Sequence, residues 1–437
     1  MTAPTGGFYS ASDADSNGGE GRFFLWTVEQ IRSALLPKLA ELAIDVFGVT
    51  ATGNFEHANI LHLPVALREF ATRRDIATAE LLTPLADIRE ALYTRRAQRM
   101  HPERDEKIVT AWNGMMIVAL AEAAAILNEP RYQAAALRAA VSLWDSRQTT
   151  GELRRVHLDG QSSVPALQED YAWLADGFVH LYDITGATAW LERAELLTAT
   201  MNRLFWDEKS GGYFMNVAVT EAGGVATMTR PKHGTDSAVP SGNAAALHVL
   251  AKLERRIAAR IYRQTANALL ATYSSSINRS PTAYSYMLRA AQLPADGGAG
   301  PFQYAARGAI SVRAQIDEAT LVVDLAIDPG WHINAHETLQ EDLIPTSLGL
   351  HGSVAGWRST TASYPEPLLK TLGFQSEKLA LFEGHVRITM GLQQTDSDAR
   401  PLIPIVLHLQ ACDDSVCPPP EQRILRVPTK RHQIEPA

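Results

Sequence analysis

The feature that most constrains this 437-residue chain is a change of hydrophobic period near residue 300. Upstream, from about Val28 to Leu293, apolar residues recur at spacings of three and four, which gathers them on one face of an α-helix. The stretches "IVALAEAAAIL", "YQAAALRAAVSLW", "DYAWLADGFVHLYDIT", "WLERAELLTATMNRLF" and "SGNAAALHVLAKLERRIAARIY" each fit an amphipathic or buried helix. Gly- and Asp-rich breaks such as "TTGEL", "ITGAT", "DEKSGGYF" and "EAGGV" divide them. Downstream, strict alternation takes over in "AISVRAQI", "TLVVDLAI", "GHVRITMGL", "IPIVLHLQA" and "RILRVPT", with Pro and Gly turns at the spacing of a β-sandwich. Between the two textures lies "LPADGGAGPFQ" (Leu293–Gln303), a linker composition. The expected organisation is multidomain, α then β. A helical domain spans 1–293, a linker 294–301, an Ig-like β-sandwich 302–430 and a tail 431–437. The length agrees, since a single core of this size is uncommon.

Helices in pairs with Gly/aromatic loops predict an α-hairpin array: a bundle, a solenoid or a closed α/α toroid. No strict sequence period selects among them. The 46% hydrophobic and 20% charged content is that of a globular protein. A net charge of −8 supplies no basic face for nucleic-acid phosphates. The apolar run Gly114–Leu127 is interrupted by Glu122, is too short to span a bilayer, and reads as a buried helix. The amino-terminal "MTAPTGGFYSASDADSNGGEG" has neither the basic nor the apolar region of a signal peptide. Its density of turn residues is that of a loop inside a fold, so further sequence is expected upstream of Met1. No phosphate-cradling Gly-rich loop links a strand to a helix, and no metal, nucleotide or flavin cofactor is implied.

The only two cysteines sit in "HLQACDDSVCPPPE". Cys412 and Cys417 follow a strand, Asp413-Asp414-Ser415 is turn chemistry, and three prolines block further ladder pairing. Cysteines opposed across a hairpin are within disulfide reach. So small a ring removes little chain entropy, on the order of 2 kcal/mol, which makes reversible exchange a better reason for its position than stability. The neighbouring aspartates disfavour a thiolate, which suits a pair that a partner's thiolate attacks. A static local disulfide, two free cysteines, and a zinc site using His408 are the alternatives.

In the helical half four clusters carry polar groups beside aromatics. They are "GGFYSASDADSNGGEGRFFLWT" with Asp13, Asp15 and Trp26, "RDEKIVTAWNGMM" with Asp105, Lys107, Trp112 and Asn113, "LQEDYAWLADG" with Glu169, Asp170 and Asp176, and "HGTDSAVPSGNAA" with Asp236, Ser241 and Asn243. Aromatic faces beside carboxylates and amides are what a sugar cavity needs, and paired carboxylates can perform glycosidic or epimerase chemistry. Solvated helix ends explain the same residues, and Ser241 reads equally as an N-cap. Asp176, flanked by apolar residues, is expected buried and in need of a partner.

Two resemblances add to this. "HLQACDDSVCPPPEQ", "DPGWHINAH" and "SYPEPLLKTLGFQSEKLALFEGHVRITM" resemble the amino-terminal, Ig-like domain of thiol–disulfide interchange protein DsbD, over about Phe302–Pro428. That resemblance implies that Cys412 and Cys417 are a redox pair passing electrons between a membrane redox partner and oxidised proteins. It also implies an aromatic cap, for which Phe374 is the candidate. "GGFYSASDADS", "DEKIVTAWNGMMIVALAEAA", "EDYAWLADGFVHLYDITG", "LFWDEKSGGYF" and "DSAVPSGNAAA" resemble the YyaL-like, spermatogenesis-associated-type, thioredoxin-domain-containing proteins. That family implies a thioredoxin-like domain followed by an α/α toroid like those of N-acylglucosamine epimerases and six-hairpin glycosidases. The match begins after that domain and inside the toroid, so the toroid is expected to be incomplete; no Cys-x-x-Cys occurs here, and the redox motif of the missing domain is not expected of this chain.

The expected function is therefore thiol–disulfide exchange by the β-sandwich, with a thiol–disulfide partner protein, either a thioredoxin-like domain or a membrane redox protein. The alternative is a carbohydrate-active or sugar-binding toroid, with the β-domain as a docking module and a sugar as ligand. A disulfide belongs in an oxidising compartment, so an extracytoplasmic, periplasmic parent protein is favoured over a cytoplasmic one.

Overall fold

The structure is a computed structural model. It describes residues 1–127, 129–146, 152–217, 230–257, 259–296, 300–354, 356–371, 377–396, 402–413 and 417–429. The chain forms two compact units, one of Met1 with Tyr9–Glu106, the other of Thr2–Phe8 with the chain from Lys107 onward.

The first unit contains β1 (Ala11–Ser12), β2 (Asp15–Ser16), β3 (Gly19–Glu20), α1 (Val28–Ala34), α2 (Pro37–Val46), α3 (Leu67–Arg73), α4 (Thr78–Ala97) and β4 (Arg104–Asp105). Helix α1 opens with a capping box. The Thr27 hydroxyl accepts from the Gln30 N–H at 3.2 Å, and the Gln30 side chain accepts from the Thr27 N–H at 3.0 Å. Helices α1, α2 and α4 bury Ile31, Ala43 and Ile88 around Trp26. Arg99 lies 4.1 Å over the Trp26 ring and donates to the carbonyls of Phe23 and Leu25.

The second unit begins with β5 (Ile108–Val109), α5 (Thr110–Leu127), α6 (Pro130–Asp145), β6 (Arg154–Leu158) and β7 (Gln161–Pro165). It continues through α7 (Gln168–Thr185), α8 (Thr188–Phe205), α9 (Gly242–Ile257), α10 (Arg260–Arg279) and α11 (Ser285–Asp296). Helices α5, α7, α9 and α11 pack in an inner row, while α6, α8 and α10 each lie against the inner helix before them. This is the layout of an arc of an α/α toroid. Burial follows it: α7 is buried without interruption from Asp170 to Asp183, as a helix covered on all sides must be. The α5–α7 contact is close enough that a Cβ on Gly114 would meet the Trp173 carbonyl carbon at 2.6 Å. Among the described residues, α5 is long and apolar enough by composition to cross a membrane, but here it packs between α6 and α7.

Two local features depart from the sequence reading. The run Ser241–Tyr262 is not one helix; it breaks after Ile257 into the α9–α10 hairpin, without a Gly or Pro to mark the break. The β6–β7 hairpin interrupts the helical half. Its turn is Asp159-Gly160, both with positive φ (51° and 73°), the turn type that Asp-Gly favours between strands.

The rest is all β: β8 (Phe302–Ala305), β9 (Ile310–Asp317), β10 (Thr320–Ile327), β11 (Trp331–Asn334), β12 (Ser347–Leu350) and β13 (Trp357–Ser359). Then follow β14 (Leu368–Thr371), β15 (Lys378–Phe382), β16 (His385–Gln394), β17 (Leu402–Leu409), β18 (Ala411–Asp413) and β19 (Glu421–Pro428). The sheets run β13-β16-β10-β9-β8, β14-β15-β11-β18 and β12-β17-β19, all antiparallel. Alternation sets which side is covered. Leu321, Val323, Leu325 and Ile327 of β10 face Val312, Ile388, Ile405 and Leu425 in one core, while the intervening residues face outward.

The β-region is tied to the helices through Arg423 on β19. Its side chain is almost fully buried, pairs with Glu421 at 2.6 Å, and donates to the carbonyls of Tyr304 (3.0 Å) and Arg255 (2.9 Å). Gly186, left-handed at the end of α7 (φ 72°), leaves room for the Tyr304 ring that a side chain there would occupy.

Candidate functional site

Strand β17 runs beside β19 up to the pair Leu409–Glu421, and then the chain changes sheets. Residues Ala411–Asp413 leave to pair with β11, setting Cys412 directly opposite His332 and Asp413 opposite Trp331. Cys412 and Cys417 are joined by a disulfide with Cα atoms 4.3 Å apart. The cysteines do not oppose each other across a ladder, as a simple hairpin would have them. The segment after Cys417 cannot complete one, because Pro418, Pro419 and Pro420 have no N–H to donate. Its anchor is instead the Gln410 amide, which donates to the Pro418 carbonyl at 3.2 Å.

The two sulfur-bearing residues sit in different surroundings. Cys412 is 6% exposed and forms part of the strand, whereas Cys417 is exposed at the start of the proline run. His332, opposite Cys412, is buried. His408 lies on β17, exposed and opposite Ser347 and Gln422. No group of three His, Cys, Asp or Glu is placed to hold a metal among the described residues. Phe374, the candidate cap, lies outside the described residues.

The candidate residues of the helical half separate into several places. Asp13 and Asp15 are exposed in the first unit, where the Asp13 carboxylate accepts from the Asp15 N–H at 3.1 Å. Asp105 belongs to the same unit, in β4 paired with Ala11. In the second unit Lys107 is exposed and Trp112 is 44% exposed. Asn113 is buried and clamps the amino-terminal segment, accepting from the Phe8 N–H at 2.7 Å and donating to the Phe8 carbonyl at 3.0 Å. Asp170 is buried and joins two helix starts. It accepts from the N–H groups of Ala111 (2.9 Å) and Leu167 (2.8 Å), and pairs with Arg155 at 3.0 Å. Burial raises its pKa to about 6, against the pull of Arg155. Glu169 pairs with Arg155 at 2.8 Å.

Ser241 caps α9 through the Ala244 N–H at 3.1 Å. Asn243 is buried and bridges the backbones of Tyr213 and His233. Asp236 accepts from the N–H groups of Ser241 (3.2 Å) and Tyr286 (2.8 Å), at the edge of a cavity of about 320 Å³ that Arg289 also lines.

The inner helices also carry a ladder of charge that the sequence reading singled out only at Asp176. On α7, Asp176, His180 and Asp183 share a face at helical spacing; on α9, Lys252 and Arg256 do the same. Lys252 pairs with Asp176 at 2.7 Å, and Arg256 grips Asp183 with two bonds of 2.7 and 2.5 Å. Burial pushes the Asp176 pKa up, but Lys252 and His180 outweigh it, and the net shift is downward. His180 reaches Glu122 of α5 at 3.3 Å, and this hydrogen bond lowers the Glu122 pKa to about 2. His248 is kept neutral, its pKa lowered to about 3 by burial and then by Lys252. The signal lay in the spacing: Asp176, His180 and Asp183 recur at four and three residues, and Lys252 and Arg256 at four.

Comparison with known proteins covers both halves. Residues 303–429 match the family model "Thiol:disulfide interchange protein DsbD, N-terminal". Spermatogenesis-associated protein 20 of Homo sapiens is 31% identical over 324 residues, 65% of this chain and 40% of that protein. The Mus musculus protein is 29% identical over 323 residues, with the same coverage. The chain thus spans about two fifths of the length of these relatives. Among solved structures, the Neisseria meningitidis DsbD n-terminal domain in the reduced form is 12% identical, with TM-score 0.22, over 29% of this chain and 90% of that one. A GH76 alpha-mannanase of Bacteroides thetaiotaomicron is 15% identical, with TM-score 0.38, over 46% of this chain and 56% of that one. Over 65% of its length this chain is similar to spermatogenesis-associated protein 20, and its residues 303–429 match the family model of the amino-terminal part of thiol:disulfide interchange protein DsbD.

Proposed function

We propose that the chain performs thiol–disulfide exchange through Cys412 and Cys417, in a domain of about 302–430. The observation that carries this is the asymmetry of the pair, one cysteine buried in a strand and the other exposed, within the segment matched by the DsbD family model. Access selects the sulfur that is attacked. A partner thiolate attacks Sγ of Cys417, the Cys412–Cys417 bond breaks, and Cys412 leaves as a thiolate that takes up a proton. The partner's second thiol, as its thiolate, then attacks the partner sulfur of the mixed disulfide and expels Cys417. The partner is oxidised to a disulfide and this chain is reduced to a dithiol, two electrons having moved. The reverse sequence passes the electrons on to an oxidised protein.

The partner class is a dithiol protein of thioredoxin-like type or a membrane redox protein. The test uses the full chain, whose only cysteines are these two. In Cys412→Ser, the remaining Cys417 is expected to form a mixed disulfide with an oxidised thioredoxin-like protein, seen by mass; Cys417→Ser is expected to form far less. Equal trapping by both variants, or by neither, contradicts the assignment.

A second reading concerns the helical half. Arg289 lines both the cavity at Asp236 and a smaller one of about 150 Å³ with Glu122, His180 and Asp183. Polar groups converging on a concave site support binding of a small polar ligand such as a sugar. Titration calorimetry of the full chain with monosaccharides tests it. Saturable heat that Arg289→Ala abolishes supports the reading, and its absence across a panel removes it.

A further inference from the structure

Beside the disulfide lies a cleft of about 930 Å³ between the α9–α10 hairpin and the β-region. One wall is the proline run Pro418–Pro420 together with Trp331, so the cleft begins at the residue after Cys417. Arginines contribute much of the remaining lining. Arg255, Arg256, Arg260, Arg263, Arg307 and Arg423 line the cleft, against Glu254 and Glu421. Arg256 pairs with Asp183, Arg263 with Glu254 and Arg423 with Glu421. Arg260, at the start of α10, and Arg307, in the β-region, are exposed, and no side-chain partner is found for either among the described residues. Arg255 is half-buried, and burial lowers its pKa, with Glu254 opposing and Arg256, Arg423 and Arg263 adding to the shift. This is a positive cleft on a chain of net charge −8.

We propose that this cleft docks an acidic segment of the protein whose thiol exchanges with Cys417. The inference rests on the exchange reading above and adds the chemistry of the partner. Charge complementarity commits the occupant: carboxylates pair with Arg260 and Arg307, and the apolar prolines and Trp331 receive the backbone beside them. Docking there delivers the partner's thiolate to the exposed Cys417 rather than the buried Cys412. Complementary charge raises association rates by roughly 10- to 1,000-fold at low salt and loses that advantage as ionic strength rises.

The experiment measures reduction of the full chain by cysteine peptides that differ only in a tail of four Glu, four Gln or four Lys. In each protein the readout is the rate ratio of the acidic to the neutral peptide. The expected ratio is about tenfold or more at low salt, falling toward one in 0.5 M salt. Arg260→Glu with Arg307→Glu is expected to bring the ratio to one or below, and Arg260→Lys with Arg307→Lys to retain most of it, which separates charge from damage to the fold. A ratio near one in the native protein, or one that survives the double charge reversal, overturns the proposal. Binding of the acidic peptide with Ser for Cys, followed by fluorescence anisotropy, keeps the two readings apart. If no peptide reduces the bond yet this peptide binds and the charge reversal abolishes binding, the exchange reading fails and the cleft stands. If the neutral peptide reduces the bond but the Ser peptide does not bind, the cleft fails and exchange stands.

Discussion

Cys412 and Cys417 differ in what surrounds them, and that difference has kinetic consequences. Cys412 is the leaving group in the proposed first step, and exchange is faster when the leaving thiol has a lower pKa. His332 is its direct partner across the β11–β18 ladder, with Cβ atoms about 5 Å apart for such a pair. An imidazole there can donate to the departing thiolate. His332→Leu is therefore expected to slow reduction by a small thiol, because a leaving thiol of higher pKa departs more slowly. Stopped-flow reduction at fixed pH checks it; an unchanged rate removes His332 from the chemistry. The cysteine pair was plain from composition and spacing, since there are only two. The asymmetry was not, because it arises from the switch of the chain between sheets, which depends on where β11 lies.

At the level of elements, the starts of α5 and α7 are fastened together by Asp170, whose carboxylate serves two backbone N–H groups and Arg155, with Glu169 beside it. Its folded pKa, about 6, lies above its unfolded value near 3.9. The folded state therefore holds a proton that the unfolded state has lost. Stability from this group is present below pH 4 and is lost as pH rises through 6. Urea unfolding of the native chain and Asp170→Asn at pH 4 and pH 7 is expected to show the native chain losing about 2–3 kcal/mol relative to the variant over that interval. A difference independent of pH contradicts the shift. The helix and strand periods were legible because a covered face needs apolar residues at 3.6 or 2. The α9–α10 break was not, because the Ala- and Arg-rich run carries no breaker residue and only packing decides where it turns. The β6–β7 hairpin was not expected, although Asp159-Gly160 is a hairpin turn pair, because its helical neighbours dominated the pattern. Ser241, Asn113 and Asn243 were legible as polar residues at helix starts, and their hydrogen bonds brace backbone.

For the second unit as a whole, Arg423 joins β19, Tyr304 and the end of α9. Arg423→Ala removes one partner of a buried pair and two carbonyl contacts, and is expected to cost about 3 kcal/mol. Differential scanning calorimetry is expected to show a lowered transition with the helical and β-regions no longer unfolding together; a change under 1 kcal/mol contradicts a joining role. The composition excluded a basic protein overall, which holds for the sum and is silent about the cleft, because only the fold brings Arg307 and Arg423 to the run Arg255–Arg263. The central claim is that the Cys412–Cys417 bond is reversible. The most direct test equilibrates the full chain in glutathione buffers of graded ratio, traps free thiols by alkylation and reads the mass. A midpoint within the range of known exchange proteins, about −120 to −270 mV, is predicted, and a bond still closed below about −300 mV would mark it as a static structural link.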